Sequence, residues 1–82
     1  MLKIKDNVDL KELEKFGFKY DKYNKVWIKQ LYTSDCDLIV DTNRFIYHEN
    51  YSTADMNYHA TGVVVAIFDL IQSNMVEKVA EE

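Results

Sequence analysis

Residues 18–32 read FKYDKYNKVWIKQLY, and their alternation decides the fold. Phe18 and Tyr20 alternate with Lys19 and Asp21, and Val26 and Ile28 alternate with Lys25, Trp27 and Lys29. Aromatic and β-branched residues at a period of two predict two strands. Asp21 to Asn24 supply the turn residues between them. Downstream, Asp37 to Asp41 (DLIVD) has the pattern of a buried strand, and Arg44 to His48 (RFIYH) follows after a Thr42-Asn43 turn signal. The result is an antiparallel meander of about four strands.

Upstream of the meander, Asp9 is placed to cap a short helix at 9–16. Glu12 stands at capping-box spacing, Val8 and Leu13 form a hydrophobic staple, and Gly17 ends the helix in the left-handed conformation. Residues 49–61 are polar and weakly patterned, and they are expected to form a loop with a short edge strand around 51–53. Val64, Ile67, Phe68 and Ile71 then recur at i, i+3, i+4 and i+7, one face of a larger helix. Val63, Val65, Ala66 and Leu70 widen its apolar arc. The consecutive valines leave a strand at 62–67 as the competing reading. Asn74 is placed to end the helix, and Met75 to Val79 form a terminal strand. The expected fold class is α+β, with a short N-terminal helix, a sheet of about four antiparallel strands, and a C-terminal helix packed on one face.

The 82 residues support one domain, 1–82, with no linker or repeat. Leu, Ile, Val and Phe make up 24 of them, above the level at which chains stay disordered. Two glycines, Gly17 and Gly62, and no proline exclude a glycine-rich phosphate loop. One cysteine, Cys36, excludes an intrachain disulfide and a four-cysteine zinc site, and a lone thiol fits a reducing compartment. The longest apolar run, Val63 to Phe68, is far short of a membrane span. A soluble, cytoplasmic protein with no membrane association is therefore expected. The net charge of −4 is uneven, with +3 over residues 1–32 and −7 over 33–82. A chain this small has little core stability in reserve, and six tyrosines favour interfaces, so a homodimer is expected.

Two segments carry a family resemblance. Lys3 to Phe18 (KIKDNVDLKELEKFGF) and Phe68 to Val79 (FDLIQSNMVEKV) resemble the two ends of a family of small phage and prophage proteins from low-GC Gram-positive bacteria. That family is similar to DxxxLxELExFGF at its start and LYDLIxAGLVEKV near its end. The resemblance covers 28 of the 82 residues and leaves 20–60 uncovered. Ser73-Asn74 departs from the family's Ala-Gly, a change that keeps a left-handed cap available. The function of the family is unknown, so the resemblance implies a phage origin rather than a chemistry.

The most specific local constellation is Lys19, Tyr20, Lys22, Tyr23, Lys25, Trp27 and Lys29, where cations interleave with aromatics. Nucleic-acid binders need cations for phosphates and flat rings for bases. If Val26 and Ile28 face the core, Lys25, Trp27 and Lys29 project together into solvent. If Trp27 faces inward, the lysines merely guard a strand edge. His48, His59 and Asp55 form a metal set only if residues 49–58 fold back. Cys36 lies between Asp35 and Asp37, which oppose a reactive thiolate. Asp35, Asp37 and Asp41 share parity and read as a solvated sheet face. No nucleophile, base and orienting group converge, so no catalytic residue, metal or cofactor is assigned. The favoured function is a non-enzymatic binding protein of phage origin. It would act by occupancy on a host protein or a small nucleotide ligand, as an inhibitor of a host defence or replication factor. The alternative is a nucleic-acid-binding accessory protein that takes single-stranded DNA or RNA on the 19–29 strip.

Overall fold

The computed structural model describes residues 1–31, 36–50 and 56–79. Four strands, β2 (Lys19–Asp21), β3 (Val26–Gln30), β4 (Cys36–Val40) and β5 (Ile46–Asn50), form an antiparallel meander in sequence order. The helix α1 (Met56–Gln72) follows it. This is the expected mixture of an antiparallel sheet and a C-terminal helix.

The N-terminal helix is a 3₁₀ segment, Leu10–Phe16, rather than an α-helix. Its first turn closes through an i→i+3 bond from Glu12 N–H to the Asp9 carbonyl, 2.9 Å. Asp9 caps it as expected, its carboxylate accepting from the Lys11 N–H at 3.0 Å. The Glu12 carboxylate pairs with Lys15 at 2.6 Å. Gly17 ends the segment at φ 89°. Its N–H reaches the Glu14 carbonyl and the Phe18 N–H reaches that of Leu13, the paired bonds of a Schellman cap.

Helix α1 ends in the same way. Asn74, at φ 58°, takes the left-handed position expected of it, and Met75 N–H bonds the Leu70 carbonyl at 3.2 Å. At its other end the expectation fails: α1 begins at Met56, inside the segment read as a loop. Met56 and Ala60 stand at i and i+4 ahead of Val63, Ile67 and Leu70, so a sparse apolar stripe does extend into this segment, thinned by Asn57, His59 and Thr61. The edge strand expected at 51–53 lies outside the described residues.

The terminal strand β6 (Val76–Lys78) pairs with β1 (Leu2–Ile4), a strand not expected from the sequence. A bridge between Lys3 and Phe45, and a bond from Ile4 N–H to the Arg44 carbonyl at 2.8 Å, fasten this small sheet to the entrance of β5. Strand β5 starts at Ile46 rather than Arg44 because Arg44 sits at φ 75°, outside strand geometry. The core lies between one face of the meander, α1 and the 3₁₀ segment. Ile4, Leu13, Leu38, Val40 and Leu70 are its fully buried side chains. Among the described residues no helix is long and apolar enough to cross a membrane.

Candidate functional site

Strand register sorts the meander into two faces. Tyr20 pairs with Trp27, Trp27 with Val40, and Val40 with Ile46. Trp27, Val40 and Ile46 are all buried in the core, so this row is the inner one. The adjacent row runs Lys19, Ile28, Ile39 and Tyr47 across all four strands, and it faces away from the core.

This arrangement decides between the two readings of Trp27. Trp27 is 8% exposed and faces inward, so Lys25, Trp27 and Lys29 do not project together into solvent. Burying the indole in the cluster that holds Val40 and Phe18 removes far more apolar area from water than burying Val26 or Ile28 would. Lys29, on the same inner face, is half-buried and donates from Nζ to the Phe16 carbonyl at 2.7 Å, closing the end of the 3₁₀ segment. Its methylenes lie 3.6 Å from where a side chain at Gly17 would begin. Lys25 sits in the turn at φ 57°. Lys19, Tyr20, Lys22, Tyr23 and Lys25 remain exposed, Tyr23 almost wholly at 97%.

The outer face has an apolar centre and a polar rim. Ile39 is 4% exposed, while Val26 and Ile28 are half-buried and Tyr47 is exposed. Two shallow hollows meet at Ile28. One, of ≈ 430 Å³, is lined by Gly17, Lys19, Asp21, Gln30 and Asp37, and by the edge of Tyr20. The other, of ≈ 460 Å³, lies over Val26, Ile39 and Tyr47 beside Asn24 and Glu49. Among the described residues Asp37 Oδ1 is buried with no hydrogen-bond donor, and a buried acceptor left unmatched calls for an explanation.

Two groups of this face titrate away from their ordinary values. The Asn24 side-chain amide, followed by the N–H groups of Asn24 and Tyr23, holds the Asp21 carboxyl below the usual carboxylate range. Partial desolvation of its ring against the sheet pushes the largely exposed Tyr47 phenol up, and the Glu49 and Asp41 carboxylates add to the effect.

The remaining candidates are not brought together. Asp41 is taken up by its turn, its Oδ1 accepting from Asn43 N–H at 2.9 Å and Phe45 N–H at 3.0 Å. Asp35, Asp55 and the side chains of Cys36 and His59 lie outside the described residues. Among the described residues no three His, Cys, Asp or Glu side chains form a metal-binding group. Gln30, Ile39 and Tyr47 were not singled out from the sequence. Parity within β3 puts Val26 and Ile28 opposite the inward Trp27, but Ile39 and Tyr47 join them only through the strand register, which sequence alternation does not carry.

Comparison with protein-family models, curated proteins and solved structures finds no match to this chain.

Proposed function

We propose that this chain is a non-enzymatic binding protein that acts by occupancy, docking a partner protein on the outer face of its meander. The row Ile28, Ile39 and Tyr47 carries the reading. An apolar centre with a tyrosine, ringed by Lys19, Asp21, Asp37 and Asn24, has the anatomy of a protein interface. The Asp37 side chain, which lines the first hollow, adds a carboxylate to the polar rim. A protein fits better than a nucleotide, because the carboxylates of Asp21 and Asp37 on the rim repel phosphate. The phage origin implied by the two end segments makes a host protein the natural target, and inhibition of host defence or replication the natural effect.

The test is capture from host lysate by the tagged chain, beside Tyr47→Ala and Asp37→Asn variants of unchanged circular dichroism. A partner held by the wild type and released by both variants supports the reading. A partner held equally by all three overturns it.

A second reading keeps the strip without its tryptophan. Tyr23 stands fully exposed among Lys19, Lys22 and Lys25 and could stack one base while the lysines meet phosphates. It requires that a labelled single-stranded oligonucleotide bind at low salt, release steeply as salt rises, and bind less to Tyr23→Ala.

A further inference from the structure

We propose that the outward face of α1 is a homodimer interface, occupied by the same face of a second copy of this chain. Over residues 63–72 the helix is apolar on two sides. Ala66 and Leu70 are buried in the core, with Val63 and Ile67 packed against it. On the opposite side Val64, Val65, Phe68 and Ile71 are each more than half exposed. A helix that is apolar all round is normally covered all round.

The spacing of the exposed set suits a second copy. Val64, Phe68 and Ile71 stand at i, i+4 and i+7, with Val65 beside them, so they form one continuous stripe. Two such stripes laid antiparallel about Phe68 set the short valines of one helix against Ile71 of the other. Phe68 then meets its own symmetry mate. A two-fold interface requires this self-complementarity, because the same patch serves both partners.

The area agrees. The four side chains expose on the order of 400 Å² of apolar surface, as large as the largest patch on an ordinary monomer. Two copies bury at most roughly 800 Å² from these side chains together, the size of a weak, transient association. A dimer formed this way is reversible and concentration-dependent.

Charge argues against a lipid surface or a nucleic acid as the occupant. No Lys or Arg occurs between Arg44 and Lys78, and Asp69 is the one charged residue in 63–72. A lipid surface or a nucleic acid would need cations beside the stripe. The dimer leaves the outer face of the meander uncovered, so this inference stands apart from the function proposed above.

Sedimentation equilibrium of the full chain at tens of micromolar should report twice the 9.7 kDa chain mass. Phe68→Asp and Val64→Asp should each weaken self-association by at least about tenfold with circular dichroism unchanged. If either variant fails to fold, Val65→Ser, which adds no charge, reads the same surface. Tyr47→Ala should leave the dimer intact. A wild type that stays monomeric overturns the proposal. So does a dimer that survives the stripe variants, or one that Tyr47→Ala dissolves.

Discussion

Tyr20 lies against Trp27 with ring centroids 5.3 Å apart and planes tilted by 55°. The two residues are directly paired across β2 and β3, and they divide the labour of the strip. Trp27 fills the core, while Tyr20 covers its edge and remains half in solvent. Such tilted pairs add about 0.5–1.5 kcal/mol beyond area burial. Trp27→Ala should therefore cost about 3–5 kcal/mol, and Tyr20→Ala on the order of 1 kcal/mol. Urea melts followed by circular dichroism measure both. A Trp27→Ala protein as stable as the wild type would contradict the buried placement.

Arg44 ties the N-terminal segment to the meander. Its Nη1 donates to the carbonyls of Lys5 at 2.9 Å and Val8 at 2.7 Å, while its backbone holds a left-handed φ of 75°. Arg44→Ala should cost about 1.5–3 kcal/mol through the lost charged hydrogen bonds. Arg44→Gly should be less harmful than Arg44→Ala, because glycine takes that φ without strain. The ranking of the two melting temperatures checks the claim.

Asp21 organises the β2–β3 turn. Its carboxylate accepts from Asn24 Nδ2 at 2.9 Å, Tyr23 N–H at 2.9 Å and Asn24 N–H at 3.3 Å. Its folded value is depressed, so the turn's contribution is present above the usual carboxylate range. That contribution is lost as pH falls through the folded value. An NMR titration of the Asp21 carboxyl carbon should show a midpoint below that of an unstructured aspartate. A midpoint at or above it would refute the bonding described.

Tyr47 produces the opposite edge of the pH profile. Its folded value is raised, so stability is complete below the ordinary tyrosine value and declines as pH rises from there through the folded one. Alkaline denaturation monitored by circular dichroism should therefore be shallower in Tyr47→Phe. If the substitution leaves the alkaline limb unchanged, the phenol is not the responsible group.

The elements that could be read from the sequence are those with strong local signals. Asp9 and Gly17 bracket the 3₁₀ segment, the alternation of Phe18 to Lys29 marks two strands, and Asn74 ends α1. Strand β1 could not be read, because Leu2 to Ile4 is only three residues long and acquires its partner from residues 76–78. The start of α1 is hard to read because the stripe from Val63 to Leu70 continues into Met56 to Thr61 only through Met56 and the small Ala60, among polar residues. The sidedness of the sheet was the harder matter. Val26, Trp27 and Ile28 are apolar in succession, as are Leu38, Ile39 and Val40, so both faces of β3 and β4 carry apolar residues. Period two then gives the alternation without saying which face turns inward. Register supplied the answer by aligning Trp27 with Val40 and Ile46. The candidate site moved with it, from the strip of residues 19–29 to the face behind Ile28.

The pairing of β1 with β6 has a mechanical consequence. The strands are antiparallel, with Leu2 opposite Lys78 and Ile4 opposite Val76, and Met1 and Val79 bond at the outer end. A tensile load applied between Met1 and Val79 would meet these hydrogen bonds one after another, like a zip, instead of all together in shear. The small sheet would peel at low force while the meander, loaded only afterwards through Ile4 and Arg44, stayed closed.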